Sequence, residues 1–215
     1  LSKAKNLDKV SRKIKIKNFR TPLFIFFIKK DLNSNLKKII NFVSKRDTII
    51  RSSSISEDLY SKSNAGHFIS KKIKKGSPKN KILNAIEEVS CKLGDHDEII
   101  VQHCILNVSC SGVIFSSDNN TNAPYISIEY DYSGSTDLVT SGRDRIKEKT
   151  IIYKHKILNN KKFSFIYKIV SNLEKMFNSN RVDIEFAIKK NIFYFLQIRH
   201  LPNPKKKDKS IYRKH

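Results

Sequence analysis

The stretch Val182-Asp183-Ile184-Glu185-Phe186-Ala187-Ile188, then Lys189-Lys190-Asn191, then Ile192-Phe193-Tyr194-Phe195-Leu196-Gln197-Ile198-Arg199, decides how this chain is organised. β-Branched and aromatic residues crowd both runs, and strand side chains alternate faces with a period of two. Val182, Ile184, Phe186 and Ile188 share one face, which leaves Asp183 and Glu185 together on the other. Along the second run Ile192, Tyr194, Leu196 and Ile198 alternate with Phe193, Phe195, Gln197 and Arg199. A turn of three residues, 189–191, predicts Asp183 opposite Gln197, with Glu185 and Arg199 as near neighbours. Two carboxylates, an amide and a guanidinium then converge. Cross-strand ion pairs of this kind are common on exposed sheets and contribute little there. Here both strands are otherwise apolar, so the charges need partners or a ligand. A magnesium ion on the carboxylates, with a polyphosphate on Arg199, satisfies that requirement.

A second polar island lies at Ile49-Ile50-Arg51-Ser52-Ser53-Ser54-Ile55-Ser56-Glu57-Asp58, followed by Ala65-Gly66. The run Thr48 to Arg51 is β-branched and stops at the serines, so Arg51 sits at a strand end. The serines suit a helix cap with Glu57 and Asp58 in its first turn. They also set hydroxyl and backbone donors beside a guanidinium, with a glycine that lets the chain approach a ligand closely.

The chain has 215 residues, 39% of them hydrophobic, enough for one domain or two small lobes. The net charge of +23 favours an anionic partner, yet Lys, Ile and Asn are spread along the whole sequence, as in a general compositional bias. No apolar run reaches the roughly 18 residues that cross a bilayer, so no membrane association and a cytoplasmic location are expected. Cys91, Cys104 and Cys110 lack the paired short spacings of a zinc or redox motif, and reduced thiols are the default. Leu1 to Leu7 contains neither an initiator Met nor a signal peptide, as in a fragment or trimmed chain.

Leu36, Ile39, Ile40 and Val43 predict one amphipathic helix; Ile82, Ile86, Val89 and Leu93, introduced by Ser77-Pro78, predict another; residues 163–176 predict a third. Pro22 to Ile28, Glu98 to Cys104, Ser111 to Ser116 and Tyr125 to Tyr130 have strand length and composition. Consecutive strands with interspersed helices predict an α+β architecture, mostly antiparallel, rather than a doubly wound one. Residues 203–215, with Lys205-Lys206-Lys207, are expected to form a mobile basic tail.

These residues together resemble the nucleotide-binding domain of the phosphoenolpyruvate synthase and pyruvate phosphate dikinase family, which has an ATP-grasp-like fold. Lys3-Ala4-Lys5-Asn6-Leu7 is similar to the opening Gly-Gly-Lys-x-x-x-Leu, with Leu1-Ser2 in place of the glycines. Arg51-Ser52-Ser53-Ser54 with Glu57-Asp58 matches the Arg-Ser-Ser segment, and Ser63-Asn64-Ala65-Gly66-His67-Phe68 resembles Ser-Phe-Ala-Gly-x-Phe. Val101-Gln102, Ser111-Gly112-Val113, Asp183-Ile184-Glu185 and Leu196-Gln197-Ile198-Arg199 follow in the family's order. Residues 132–142 keep Gly134 and Ser141-Gly142 without the Gly-x-Gly-Glu pattern, and His200 replaces a proline.

The resemblance covers residues 1–202, which it implies form a single domain or two lobes of about 1–95 and 96–202 with the nucleotide held between them. It implies that Lys3 and Arg51 contact ATP phosphates, that Gly66 and Ser70 line the phosphate loop, and that Gln102 lies near the adenine. It makes Asp183 and Glu185 the magnesium carboxylates, with Gln197 assisting, and Arg199 the group that neutralises charge as a phosphoryl group departs. Arg51 and Arg199 are the candidate catalytic residues. The family's acceptor is a histidine on a separate carrier domain, and no histidine here has the Thr-Ser-His context. The carrier is therefore expected in trans or in a missing downstream segment. The alternatives are a degenerate ATP-binding regulatory module and a basic nucleic-acid-binding protein; the absence of aromatic and basic interleaving disfavours nucleic acid.

Overall fold

The apolar residues segregate into two cores, each made by one sheet and two helices. The computed structural model describes residues 1–54, 69–132, 134, 148–154 and 160–201. In chain order its helices are α1 (Lys3–Lys13), α2 (Leu32–Val43), α3 (Lys79–Ser90) and α4 (Lys161–Phe177). The strands are β1 (Phe19–Arg20), β2 (Phe24–Ile28), β3 (Thr48–Ser53), β4 (Ser70–Ile73), β5 (Glu98–His103), β6 (Cys110–Phe115), β7 (Tyr125–Asp131), β8 (Glu148–Tyr153), β9 (Val182–Lys189) and β10 (Ile192–His200). The expected α+β, mostly antiparallel architecture is present.

Among the described residues the smaller sheet runs β2-β5-β3-β4, antiparallel throughout. Phe27, Ile50, Ile73, Ile99 and Val101 from one of its faces pack with Ile39 and Val43 of α2 and with Ile82, Ile86 and Val89 of α3. Arg51 and Ser53 therefore fall on the opposite face, as the period of two requires. The larger sheet runs β1-β10-β9-β6-β7-β8 and is antiparallel except where β1 joins β10. Its apolar face carries Ile114, Ile126, Ile184 and Phe186, which pack with Ile169, Val170 and Leu173 of α4. Stacked rings of Phe186 and Phe193, with centroids 5.2 Å apart, lie at its centre.

The β9–β10 hairpin departs from the expected register in two places. Its turn has two residues, Lys190 and Asn191, both with positive φ, so Lys189 rather than Ile188 faces Ile192. That is the backbone twist a tight hairpin turn favours. A bulge at Leu196 then shifts the pairing once more, giving Gln197 opposite Glu185 and Arg199 opposite Asp183. The expected pairing of Asp183 with Gln197 is thus replaced. The bulge also reverses the alternation. Phe193 and Phe195 enter the core together with Ile198, while Gln197 and Arg199 join the carboxylates on the other face.

Helix α1 connects the two halves. Ala4, Leu7 and Val10 are buried, and Leu7, Val10 and Ile14 pack in the core of the larger sheet. Its first turn instead meets the smaller sheet, where the Ala4 amide donates to Ser53 Oγ at 2.9 Å and the Ser2 hydroxyl bonds the Glu98 carboxylate.

Candidate functional site

The polar faces of the two sheets meet at Arg51. From β3 its Nη2 hydrogen-bonds the Gln197 side-chain oxygen on β10 and lies 3.9 Å from Glu185 Oε2 on β9. Its side chain is only 13% exposed, so a guanidinium is held inside a cleft between sheets. On the far side of Glu185, Arg199 engages Asp183 through both ends of its fork: Nε to Oδ1 at 3.2 Å and Nη2 to Oδ2 at 2.9 Å. Arg199 Nη2 also stands 3.9 Å from Glu185 Oε1. Glu185 therefore sits between two guanidiniums. The geometry brings Arg51, Asp183, Glu185, Gln197 and Arg199 into one connected group, 146 residues of sequence separating Arg51 from Gln197.

The other expected residues take the following places. Ser70 lies on β4 directly opposite Arg51 and is exposed toward the cleft face. Gln102 is buried on β5, opposite Ile49 and Phe24, on the same sheet face as Arg51. Lys3 starts α1, half-buried, one residue before the Ala4 amide that is fixed to Ser53. Gly66, together with His67, Glu57, Asp58 and residues 203–215, lies outside the described residues.

Sequence reasoning missed Glu98. It is 3% exposed at the start of β5, where it accepts from the Ser2 hydroxyl and from Ser53 Oγ at 3.2 Å, with Lys5 Nζ at 3.5 Å from its other oxygen. Ser2 also caps α1 by accepting from the Lys5 amide at 3.3 Å. This knot anchors the first turn of α1, with Lys3 in it, beside the Arg51 strand. The only sequence signal was an acid opening a strand whose next three residues, Ile99, Ile100 and Val101, read as apolar core.

A divalent cation can be tested against the donors present. Glu185 Oε2 is buried and accepts no hydrogen bond, and the Arg51 guanidinium stands off at 3.9 Å, so a closer hard cation would satisfy it. Asp183 and Gln197 add hard oxygens on the same face. Among the described residues there is no group of three His, Cys, Asp or Glu side chains able to cage a metal unaided. This pattern fits magnesium, which typically takes one or two carboxylates and completes its octahedron with phosphates and water. It fits transition metals poorly.

The sequence matches no known family model, and comparison with curated proteins found no match. Solved structures do show the same fold. The D-alanine–D-alanine ligase of Bacillus anthracis superposes with a TM-score of 0.51 at 15% identity, covering 94% of this chain and 57% of the ligase. The same ligase complexed with ATP gives 0.50 at 15% identity, over 94% and 55% of the two chains. VanG D-Ala:D-Ser ligase from Enterococcus faecalis gives 0.51 at 12% identity, over 94% and 52%. The fold is ATP-grasp-like, and the chain spans a little over half the length of the ligases it matches.

Proposed function

We propose that this chain binds Mg-ATP between its two sheets and passes a phosphoryl group to a histidine presented by a separate carrier domain, as the nucleotide-binding unit of a phosphoenolpyruvate synthase or pyruvate phosphate dikinase type of enzyme. The observation that carries this is the contact of Arg51 with Gln197 and Glu185, which unites the two polar islands of the sequence across the cleft. The ordered motifs over residues 1–202 and the ATP-grasp-like fold support it. The unit would comprise residues 1–202, acting in the cytoplasm where ATP is available; its two lobes do not divide at residue 95, because β5 (Glu98–His103) belongs to the smaller sheet and β1 with most of α1 to the larger half.

Arg51 binds phosphate oxygens from the smaller sheet, with Lys3 on the first turn of α1 that is fixed to Ser53, and Ser70 offers a hydroxyl opposite Arg51; the motif resemblance assigns Gly66 to the same phosphates. Gln102, buried on the same sheet face, serves the adenine. Asp183, Glu185 and Gln197 would hold magnesium, which supplies positive charge to the phosphate oxygens. Arg199 is 45% exposed on its side chain, so it can exchange Asp183 for the departing phosphoryl group. Both guanidiniums are held on carboxylate or amide oxygens, which prealigns them for the anion that replaces those partners.

Two measurements test this. Mg-ATP at about a hundred times its Kd should stabilise the protein by about 2.7 kcal/mol, or roughly 5–10 °C in Tm for a chain of this size. With a Thr-Ser-His carrier domain from an enzyme of the proposed type, ATP should yield phosphohistidine on the carrier. Stabilisation without any phosphohistidine would move the chain to the regulatory class, and the lack of any nucleotide-dependent shift would falsify the site itself.

A further inference from the structure

A cavity of about 310 Å³ opens on the same face of the larger sheet as the carboxylates, over β6, β7 and β8. Phe115 is common ground: it lines the cavity and pairs with Asp183 on the neighbouring strand. The floor continues outward through Ser127, opposite Phe115, and Ile151, opposite Ser127. Among the described residues, none assigned above to nucleotide or metal lines it.

Three features define what would occupy this space. First, Ser127 is 9% exposed, and its Oγ is buried without a hydrogen-bond partner, although it lies on the cavity floor. A buried hydroxyl left unpaired costs roughly 1–3 kcal/mol, so a bound group that engages it recovers that energy. Second, part of the wall is apolar: Phe115, Ile151 at 61% exposure, and Tyr125, whose ring lies 5.2 Å from that of Tyr153. Third, among the described residues the ionisable lining is net acidic. Glu129 and Asp118 outnumber Lys149, whose Nζ lies 3.0 Å from Glu129 Oε1. The Thr121 hydroxyl and amide hold the Asp118 carboxyl below its ordinary range, so it stays charged at neutral pH. On a chain of net charge +23, a locally acidic pocket works against the background potential and selects cations.

We propose that this cavity is a binding site for a small organic cation, a primary ammonium carried on a short aromatic or aliphatic body. The ammonium donates to Ser127 Oγ and the Glu129 carboxylate, displacing Lys149 toward solvent, to which its 54%-exposed side chain already has access. The body rests on Phe115, Tyr125 and Ile151, which supply apolar contact. The volume is near the lower end of the range of about 300–1,000 Å³ found for small-molecule pockets, so the ligand is no larger than a single ring and its side chain.

Tyramine is a suitable probe, with 3-(4-hydroxyphenyl)propanoate as the same shape bearing a carboxylate. Calorimetric or NMR titration of the full chain, run without nucleotide, separates this site from the one proposed above. Saturable tyramine binding is expected, weakened at least tenfold by Ser127→Ala and by Glu129→Gln, and strengthened at least threefold by Lys149→Met, which removes the competing cation. The gain in Lys149→Met cannot arise from misfolding. Equal affinity for the propanoate, absence of saturable tyramine binding, or wild-type affinity in either weakening variant would overturn the proposal.

Discussion

Glu185 is almost out of water, and its Oε2 accepts no hydrogen bond and faces the Arg51 guanidinium only from 3.9 Å, an arrangement that a closer partner would complete. Glu185→Gln removes the charge and keeps the shape. The ligand-free Tm should then stay within about 4 °C of wild type, a change of no more than about 1 kcal/mol, while at least half of the Mg-ATP shift disappears. Arg199→Ala should leave nucleotide binding measurable but lower phosphoryl transfer by about 10²–10³-fold, the usual effect of deleting one charge-stabilising donor. Unchanged transfer in that variant would remove Arg199 from its assigned role. Cys110 behaves differently again. Burial first, then the carboxylates of Asp131 and Glu148, push its thiol up to about 11 from an ordinary 9.0. Between those values the folded chain keeps a proton that the unfolded chain releases, so stability falls as pH rises from about 9 to 11. Melting curves over that interval should show a shallower decline in Cys110→Ala. At pH 8, alkylation should reach exposed Cys91 well before Cys110.

At the level of elements, the central strands and three helices were evident from periodicity because their buried faces are long and regular. Helix α2 over Leu32–Val43 and strand β5 over Glu98–His103 are examples. Helix α1 escaped notice: Lys3, Lys5, Lys9, Arg12 and Lys13 dilute the stripe of Ala4, Leu7 and Val10. Strands β4 and β8 are sheet edges, where Ile73 and Ile152 respectively are the buried members, too few for an alternation to show. The Leu196 bulge was invisible for another reason. Phe193, Phe195, Gln197 and Arg199 continue one parity without a break, and only the requirement that the phenylalanines be dry and the arginine wet forces the extra residue. The composition of the five-residue polar group was therefore readable, whereas its pairing was not. Deleting Leu196 would remove the bulge yet keep Gln197 opposite Glu185 and Arg199 opposite Asp183, so the Mg-ATP shift should survive, whereas inserting one residue between Phe195 and Leu196 should abolish it. Gly112 is a second point of constraint. A Cβ there would meet the Glu129 carbonyl oxygen at 2.1 Å and Tyr130 Cα at 2.8 Å, so Gly112→Ala must force β7 away from β6. The expected cost is about 3 kcal/mol, read as a fall in Tm of roughly 6–12 °C.

For the molecule as a whole, a charge of +23 imposes self-repulsion that dissolved salt screens. Raising NaCl from about 50 to 300 mM should shorten the Debye length to roughly two-fifths and raise Tm, while weakening adventitious binding to any polyanion. A Tm that falls over this range would show that local ion pairs such as Arg199 with Asp183 outweigh the general repulsion. The two-sheet division itself could be inferred only after the polar islands were placed opposite each other, because neither core reveals the other's position along the chain. Helix α1 belongs to both halves: its apolar stripe is in one core, and its capped first turn is fixed to Ser53 and Glu98 at the margin of the other. A rod anchored at both ends makes two packing units melt as one. Removing the polar anchor with a Ser2→Ala, Ser53→Ala double variant should split a single calorimetric transition into two, the smaller sheet unfolding first, with the cleft lost before the larger core gives way.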